Sequence, residues 1–231
     1  MPIGIPTVSP EPTGRRSTMR IGILGAGNMA EALGTQWARA GHEVVIGART
    51  TAKATALADR IGPPARAAAG LRAAAENADA VLLAVLYEAV PEVLDAAGDA
   101  LRDRPLLDCV NGIVHPGVTL AAGGGPSVAE QIAARSGARV VKAFNLCHES
   151  VWRRTPPHFD GRPLTVPLCG DDPDALATAR ALVTGLGCEP VEAGGLDRAG
   201  LLEATAAFAI GLYLAGADPQ AVFPPVAYAV G

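Results

Sequence analysis

Aromatic side chains make up only 4% of this 231-residue chain, while Ala, Gly and Pro are abundant. Its packing must therefore rely on small aliphatic groups, and its 49% hydrophobic content is enough to bury a substantial core. There is no basic run, and a net charge of -4 excludes a general attraction to nucleic acid or to an anionic membrane. No apolar stretch reaches the roughly 18–20 residues needed to span a bilayer. The four cysteines, Cys109, Cys147, Cys169 and Cys188, form no C-x-x-C pair and sit in apolar surroundings, which predicts reduced, buried thiols in a cytoplasmic protein. The four histidines lack metal-ligand spacing, so no metal site is predicted. Residues 1–18 are rich in Pro, Thr and Ser without the apolar centre of a secretory signal. They read as a disordered N-terminal arm, with Met19 directly before the first strand.

What is present starts at Arg20. The apolar run Ile21-Gly22-Ile23-Leu24 leads straight into Gly25-Ala26-Gly27-Asn28-Met29-Ala30, a G-x-G-x-x-A turn. Met29, Leu33, Trp37 and Ala40 follow at helical spacing, and Glu43 to Gly47 reads as a second strand. This strand–turn–helix–strand unit is the one that holds a dinucleotide pyrophosphate. Gly25 allows the tight turn, Gly27 lets the backbone approach the phosphates, and Ala30 lets the helix pack close to the strand. The free N–H groups at the helix start and the helix dipole favour the phosphate charge.

A site for NAD usually ends the second strand with Asp or Glu, which accepts from the ribose 2′-OH. Here the strand ends Ile46-Gly47-Ala48-Arg49-Thr50-Thr51-Ala52-Lys53, without an acid. Arg49 can pair with a 2′-phosphate in bidentate fashion, and Lys53 adds a second positive charge one turn later. The expected cofactor is NADP, held by Gly25, Ala26, Gly27, Asn28, Met29, Ala48, Arg49, Thr50 and Lys53.

Further along, a helix over 51–61 is stopped by Gly62-Pro63-Pro64, a weak strand falls near Arg66, and a short helix covers 71–75. The continuous apolar run 79–85 predicts a central parallel strand. A helix over 88–100, a strand over 105–110, a helix over 128–135 capped by Ser127, and a strand over 139–144 continue the alternation. A strand over 165–169, a helix starting at Asp171-Asp172-Pro173 and a strand over 188–192 then break it. The fold class is α/β, a Rossmann-type doubly wound and mostly parallel sheet. The expected organisation is an NADP-binding domain over 19–193 and a helical segment over 194–231. In that segment Leu201, Leu202, Thr205, Phe208, Ala209, Leu212 and Tyr213 cover two faces of one helix. One face can dock on the sheet, and the other suggests a homodimer contact.

With IGILGAGNMAEAL, the GART segment at Gly47, VVKAFN at 140–145, LCGDDPDA at Leu168 and EAGGLDRAGLLE from Glu192, the chain resembles the coenzyme F420-dependent NADP oxidoreductases from Met19 to its C-terminus. The resemblance implies NADP(H) along the glycine turn, a deazaflavin stacked near the nicotinamide, and a dimer whose C-terminal helices help to close the substrate site. It also implies that Arg49 and Lys53 contact the 2′-phosphate. Two positions depart from the pattern. Relatives commonly have Ser where this chain has Ala48, and often have Pro where it has Leu86.

In open α/β sheets the C-terminal ends of the strands line the crevice. That nominates Val85, Leu86, Tyr87, Asn111, Ala143 and Asn145 beside the cofactor, and Leu146, Cys147 and His148 beside the substrate. Transfer of hydride between two bound rings needs positioning more than acid–base groups. If the substrate is instead a small carbonyl or imine, a proton donor is required. His148 is then the first candidate and Tyr87 the second. Lys142 lies inside a strand, which predicts a structural role beside a carboxylate or loop carbonyls. Asp108, Asp171 and Asp172 read as strand-end and helix-start acids. A third reading, an NADPH-binding sensor without turnover, stays open beside the two enzymatic ones.

Overall fold

The computed structural model describes residues 18–114 and 117–222. Residues 1–17 of the expected N-terminal arm over 1–18, and the tail beyond 222, lie outside them.

The order of elements follows from where apolar periodicity changes. Strand β1 (Arg20–Leu24) gives way to helix α1 (Asn28–Arg39), and β2 (Glu43–Gly47) to α2 (Thr51–Ile61). Short elements follow: β3 (Ala65–Ala67), α3 (Leu71–Ala75), β4 (Ala80–Leu83), α4 (Val90–Ala97) and β5 (Pro105–Asp108). A small hairpin, β6 (Ile113–Val114) with β7 (Thr119–Leu120), precedes α5 (Val128–Ser136) and β8 (Arg139–Lys142). The single-turn helix α6 (Glu149–Trp152) and a second small hairpin, β9 (His158–Phe159) with β10 (Arg162–Pro163), lead to β11 (Thr165–Gly170). Helix α7 (Pro173–Gly185), β12 (Glu189–Gly194) and α8 (Ala199–Leu214) complete the described chain.

The main sheet has the order β12-β11-β8-β5-β4-β1-β2-β3. From β3 to β8 every pairing is parallel, with Ile21 opposite Val44 and Ile23 opposite both Ile46 and Leu82. The order reverses at β1, which opens a crevice at the C-terminal ends of β1 and β4. Successive strand residues face opposite sides. Ile21, Ile23, Val44 and Leu82 pack with Leu33 and Trp37 of α1, Leu57 of α2 and Leu182 of α7. Val45, Val81 and Leu83 pack with Leu71 and Ala74 of α3, Leu94 of α4 and Ile132 of α5. Two apolar layers therefore sandwich the sheet, as the doubly wound class requires.

Alternation fails after β8. The connection from β8 to β11 carries α6 and a hairpin instead of a crossover helix, so β11 runs antiparallel to β8. Four predicted spans are shorter than expected, among them the strand over 105–110, which ends at Asp108. The helix over 88–100 breaks into a 3-10 turn at Tyr87–Ala89, then α4 with Pro91 in its first turn, then a 3-10 turn at Gly98–Leu101 where Gly98 has φ 58. The strand over 139–144 ends at Lys142, because Phe144 takes the left-handed φ 62. The strand over 79–85 contracts to Ala80–Leu83. Ser127 caps α5 as predicted, in a full capping box with Glu130, and the Asp172 side chain accepts from the Ala175 N–H at 2.8 Å to cap α7. Among the described residues no helix is long and apolar enough to cross a membrane, and no group of three or more His, Cys, Asp or Glu could hold a metal.

Candidate active site

At the glycine turn the two glycines meet different constraints. Gly25 has φ 128 and donates its N–H to the Gly47 carbonyl at 2.8 Å, which ties the turn to the end of β2. A Cβ there would collide with the Ala84 carbonyl oxygen at the end of β4. Gly27 is extended, and a Cβ on it would meet nothing within 4 Å. It is the N-cap of α1, and no side chain caps that end. Open space above a helix start without a capping side chain suits a pyrophosphate. Ala30 is buried under the turn, and Ala26 and Met29 are half-buried against the core.

The end of β2 is cationic and open. Arg49 is exposed and its guanidinium lies 3.7 Å from Glu92 at the start of α4, a loose surface pair. Thr50 is the N-cap of α2, and Lys53 stands exposed in that helix's first turn. The Ala48 methyl is buried in the core, so this residue offers only its backbone to the edge.

Beyond β4, Leu86 is 78% exposed and Val85 is half-buried, with its side chain beside Gly25. Tyr87 has its ring edge beside Gly112, next to Asn111. It lines a groove of about 510 Å³ between α4 and α5 with Val90, Leu94, Val128 and Ile132. The 3-10 turn that starts at Tyr87 takes its ring to that side.

A second cavity, of about 470 Å³, collects most of the remaining sequence candidates. Asn111, Asn145, Leu146, Cys147 and His148 line it from the strand ends, together with Ser150. Ala206, Ala209, Ile210 and Tyr213 line it from α8. The two asparagines form a reciprocal pair. Asn111 Nδ2 donates to the Asn145 carbonyl at 2.8 Å, and Asn145 Nδ2 donates to Asn111 Oδ1 at 2.9 Å. Beneath them Phe144, unusual for a bulky residue at positive φ, is held edge-on between Trp37 at 6.0 Å and Trp152 at 5.2 Å. Ala143 is fully buried and donates its N–H to the Asp108 carbonyl at 3.0 Å.

His148 is exposed at the cavity mouth. Its Nε2 lies 2.8 Å from Glu149 Oε2 and its Nδ1 3.0 Å from Ser150 Oγ. The Ser150 N–H donates to Nδ1 at 3.3 Å, so the ring proton belongs on Nε2 facing the carboxylate. Glu149 Oε1 in turn accepts from Asn28 Nδ2 at 3.0 Å. The glycine turn and the cavity loop are thus joined through one carboxylate.

Lys142 has the structural place its sequence context predicted. Its ammonium is wholly buried and donates to Asp108 Oδ2 at 2.8 Å, the Val110 carbonyl at 2.5 Å and Glu203 Oε1 at 2.7 Å. Burial alone would lower its pKa, but the Asp108 and Glu203 carboxylates outweigh burial and hold it above the usual lysine range. Sequence reasoning gave no role to Ser150, Glu149 or Glu203. The spacing of Ala206, Ala209, Ile210 and Tyr213, one face of a helix, was the available signal for the far wall.

The family described as NADP oxidoreductase, coenzyme F420-dependent, matches residues 20–112. The F420-dependent NADP reductase of Methanothermobacter thermautotrophicus is 30% identical over 200 residues, which cover 80% of this chain and 85% of that protein. Its counterpart in Methanothermobacter marburgensis is 28% identical over 200 residues, covering 80% of this chain and 88% of that one. Among solved structures, a candidate F420-dependent NADP-reductase from Arthrobacter sp. FB24 superposes with a TM-score of 0.74 at 28% identity, over 87% of this chain and 96% of that one. Similarity at that level over nearly the whole of its relatives, on the same glycine turn and sheet, places the chain in the family of F420-dependent NADP oxidoreductases.

Proposed function

We propose that the protein transfers hydride between NADPH and a deazaflavin, coenzyme F420. The observation that carries the nucleotide half is the open space at Gly27 above the start of α1, next to a β2 end that has Arg49 and Lys53 and no acid. In this reading the first-turn N–H groups of α1 hold the pyrophosphate, and Arg49 and Lys53 take the 2′-phosphate. Thr50 and the Ala48 backbone border that phosphate. Val85 and Leu86 flank the nucleotide, and Asn111, Ala143 and Asn145 border the nicotinamide. When bound, NADPH supplies the hydride, and oxidised deazaflavin accepts it together with a proton.

The chain's contribution is then to orient two rings and exclude water between them, so that donor and acceptor carbons stand about 3–3.5 Å apart. The apolar wall of α8 and the Asn111–Asn145 pair suit that task, with Leu146, Cys147 and His148 bordering the second ring. Of the expected segment over 194–231, helix α8 acts as the closing element on the domain over 19–193. Leu201 and Phe208 lie opposite the cavity face of α8 and are 55% and 53% exposed. An uncovered apolar stripe of this kind supports a homodimer contact. The four free thiols support a reducing, cytoplasmic setting.

Mixing NADPH, protein and oxidised deazaflavin should bleach the deazaflavin's visible band. Tight NADPH binding without bleaching would favour either a sensor or a second reading, reduction of a small carbonyl or imine. What favours the latter is an imidazole, His148, at the cavity mouth; its Nε2 proton faces Glu149 in this structure, so the ring must swing from that carboxylate to reach a substrate.

A further inference from the structure

Helix α8 is apolar on every side, and its sequence AGLLEATAAFAIGLYL contains one charged residue, Glu203. Apolar side chains all round give such a helix little to fix its rotation or its axial position. Glu203 is nonetheless buried to 1% exposure. Its Oε2 accepts from the Val128 N–H at 3.1 Å, its Oε1 from the Ala129 N–H at 3.2 Å, and Lys142 donates to Oε1 as well. The next donor, the Glu130 N–H, is taken by Ser127 Oγ, and the Ser127 N–H by Glu130 Oε2. The start of α5 is therefore fully satisfied only when α8 delivers its carboxylate. Lys142 in turn spends its three protons on Asp108, Val110 and Glu203. The network thus spans the ends of β5 and β8, which carry Asn111 and Asn145 three residues further on.

Ala206, Ala209, Ile210 and Tyr213 follow Glu203 by three, six, seven and ten residues, which puts them on the same side of the helix. We propose that Glu203 is a positioning residue for the second substrate. Its carboxylate sets the register and rotation of α8 against the strand ends and so fixes the width of the cavity wall facing the acceptor ring. A lone buried polar group fixes helix register in the same way in coiled coils. The substrate in this inference rests on the reading given under Proposed function, while the anchoring rests on the contacts themselves.

The test compares the full-length wild type with Glu203→Gln and Glu203→Asp. In Glu203→Gln one carboxylate oxygen becomes an amide that cannot accept from the α5 N–H groups. Its KM for deazaflavin should rise roughly 10- to 100-fold, the scale of a misplaced wall, while its calorimetric Kd for NADPH stays within about twofold. Glu203→Asp, which keeps the charge, should fall between the two, and it carries the test alone if the Gln variant fails to fold. Amide exchange over 204–214 should speed up in the variant while β1 and α1 keep theirs. KM and Kd rising together, a lower melting temperature with KM unchanged, or unaltered exchange in α8 would each overturn the assignment. Wild type that does not turn over deazaflavin would instead overturn the functional reading, and with it the substrate side of this inference.

Discussion

Gly25 and Gly27 stand two residues apart, and substitution should separate their roles. Gly25→Ala puts a methyl against the Ala84 carbonyl at a φ that L-residues rarely adopt. It should cost stability, at least roughly 1–3 kcal/mol, read from urea midpoints. At Gly27 a Cβ would meet no atom within 4 Å, which leaves room for Gly27→Val. It should melt with the wild type yet lose NADPH and NADH together in calorimetry. At the end of β2, Arg49→Ala should weaken NADPH by about 1.5–3 kcal/mol, the range for a hydrogen bond to a charged group, and leave NADH nearly unchanged. Equal losses for both nucleotides would remove Arg49 from the 2′-phosphate. The glycine turn was legible in the sequence because its backbone path demands residues without side chains. That Tyr87 also lines the groove between α4 and α5 was not. A strand-end residue can leave toward either side of the sheet, and the 3-10 turn at 87–89 decides the matter only in three dimensions.

Among the elements, those with a local signal were readable. Helix α5 announces itself by Ser127 and Glu130, and α7 by Asp172 and Pro173, because caps are chemistry within one turn. The antiparallel entry of β11 left no local mark, since direction is set by the length and content of the whole β8–β11 connection. Nor did the ending of β8 at Lys142. Left-handed Phe144 is held there by Trp37 and Trp152, and Trp37 is more than a hundred residues distant in sequence. Helix α8 was legible as apolar on two faces, yet the partner of its single carboxylate was not, because Lys142 and the start of α5 are remote in the chain. Phe208→Glu places a charge on the exposed stripe of α8. In light scattering it should shift a dimer to monomers while helical content by circular dichroism is kept. A wild type that is monomeric from the outset would remove the dimer contact.

For the whole molecule, stability should fall on the alkaline side. Burial pushes the Cys109 and Cys188 thiols up to about 12 from an ordinary value near 9. Between those values the unfolded chain loses protons that the native protein keeps. The unfolded state therefore binds fewer protons, and stability declines as pH rises through this window. The urea midpoint at pH 10 should lie below that at pH 7.5, and the two thiols should resist disulfide reagents at pH 8 until the protein is unfolded. The aromatic cluster has an optical corollary. The chain has only two tryptophans, and both indoles rest against the same phenyl ring, one from α1 and the other from the end of α6. Their emission therefore comes from a single locality under the crevice. Since a reduced nicotinamide absorbs where indoles emit, quenching of that light would follow occupancy there without any label, undiluted by chromophores elsewhere.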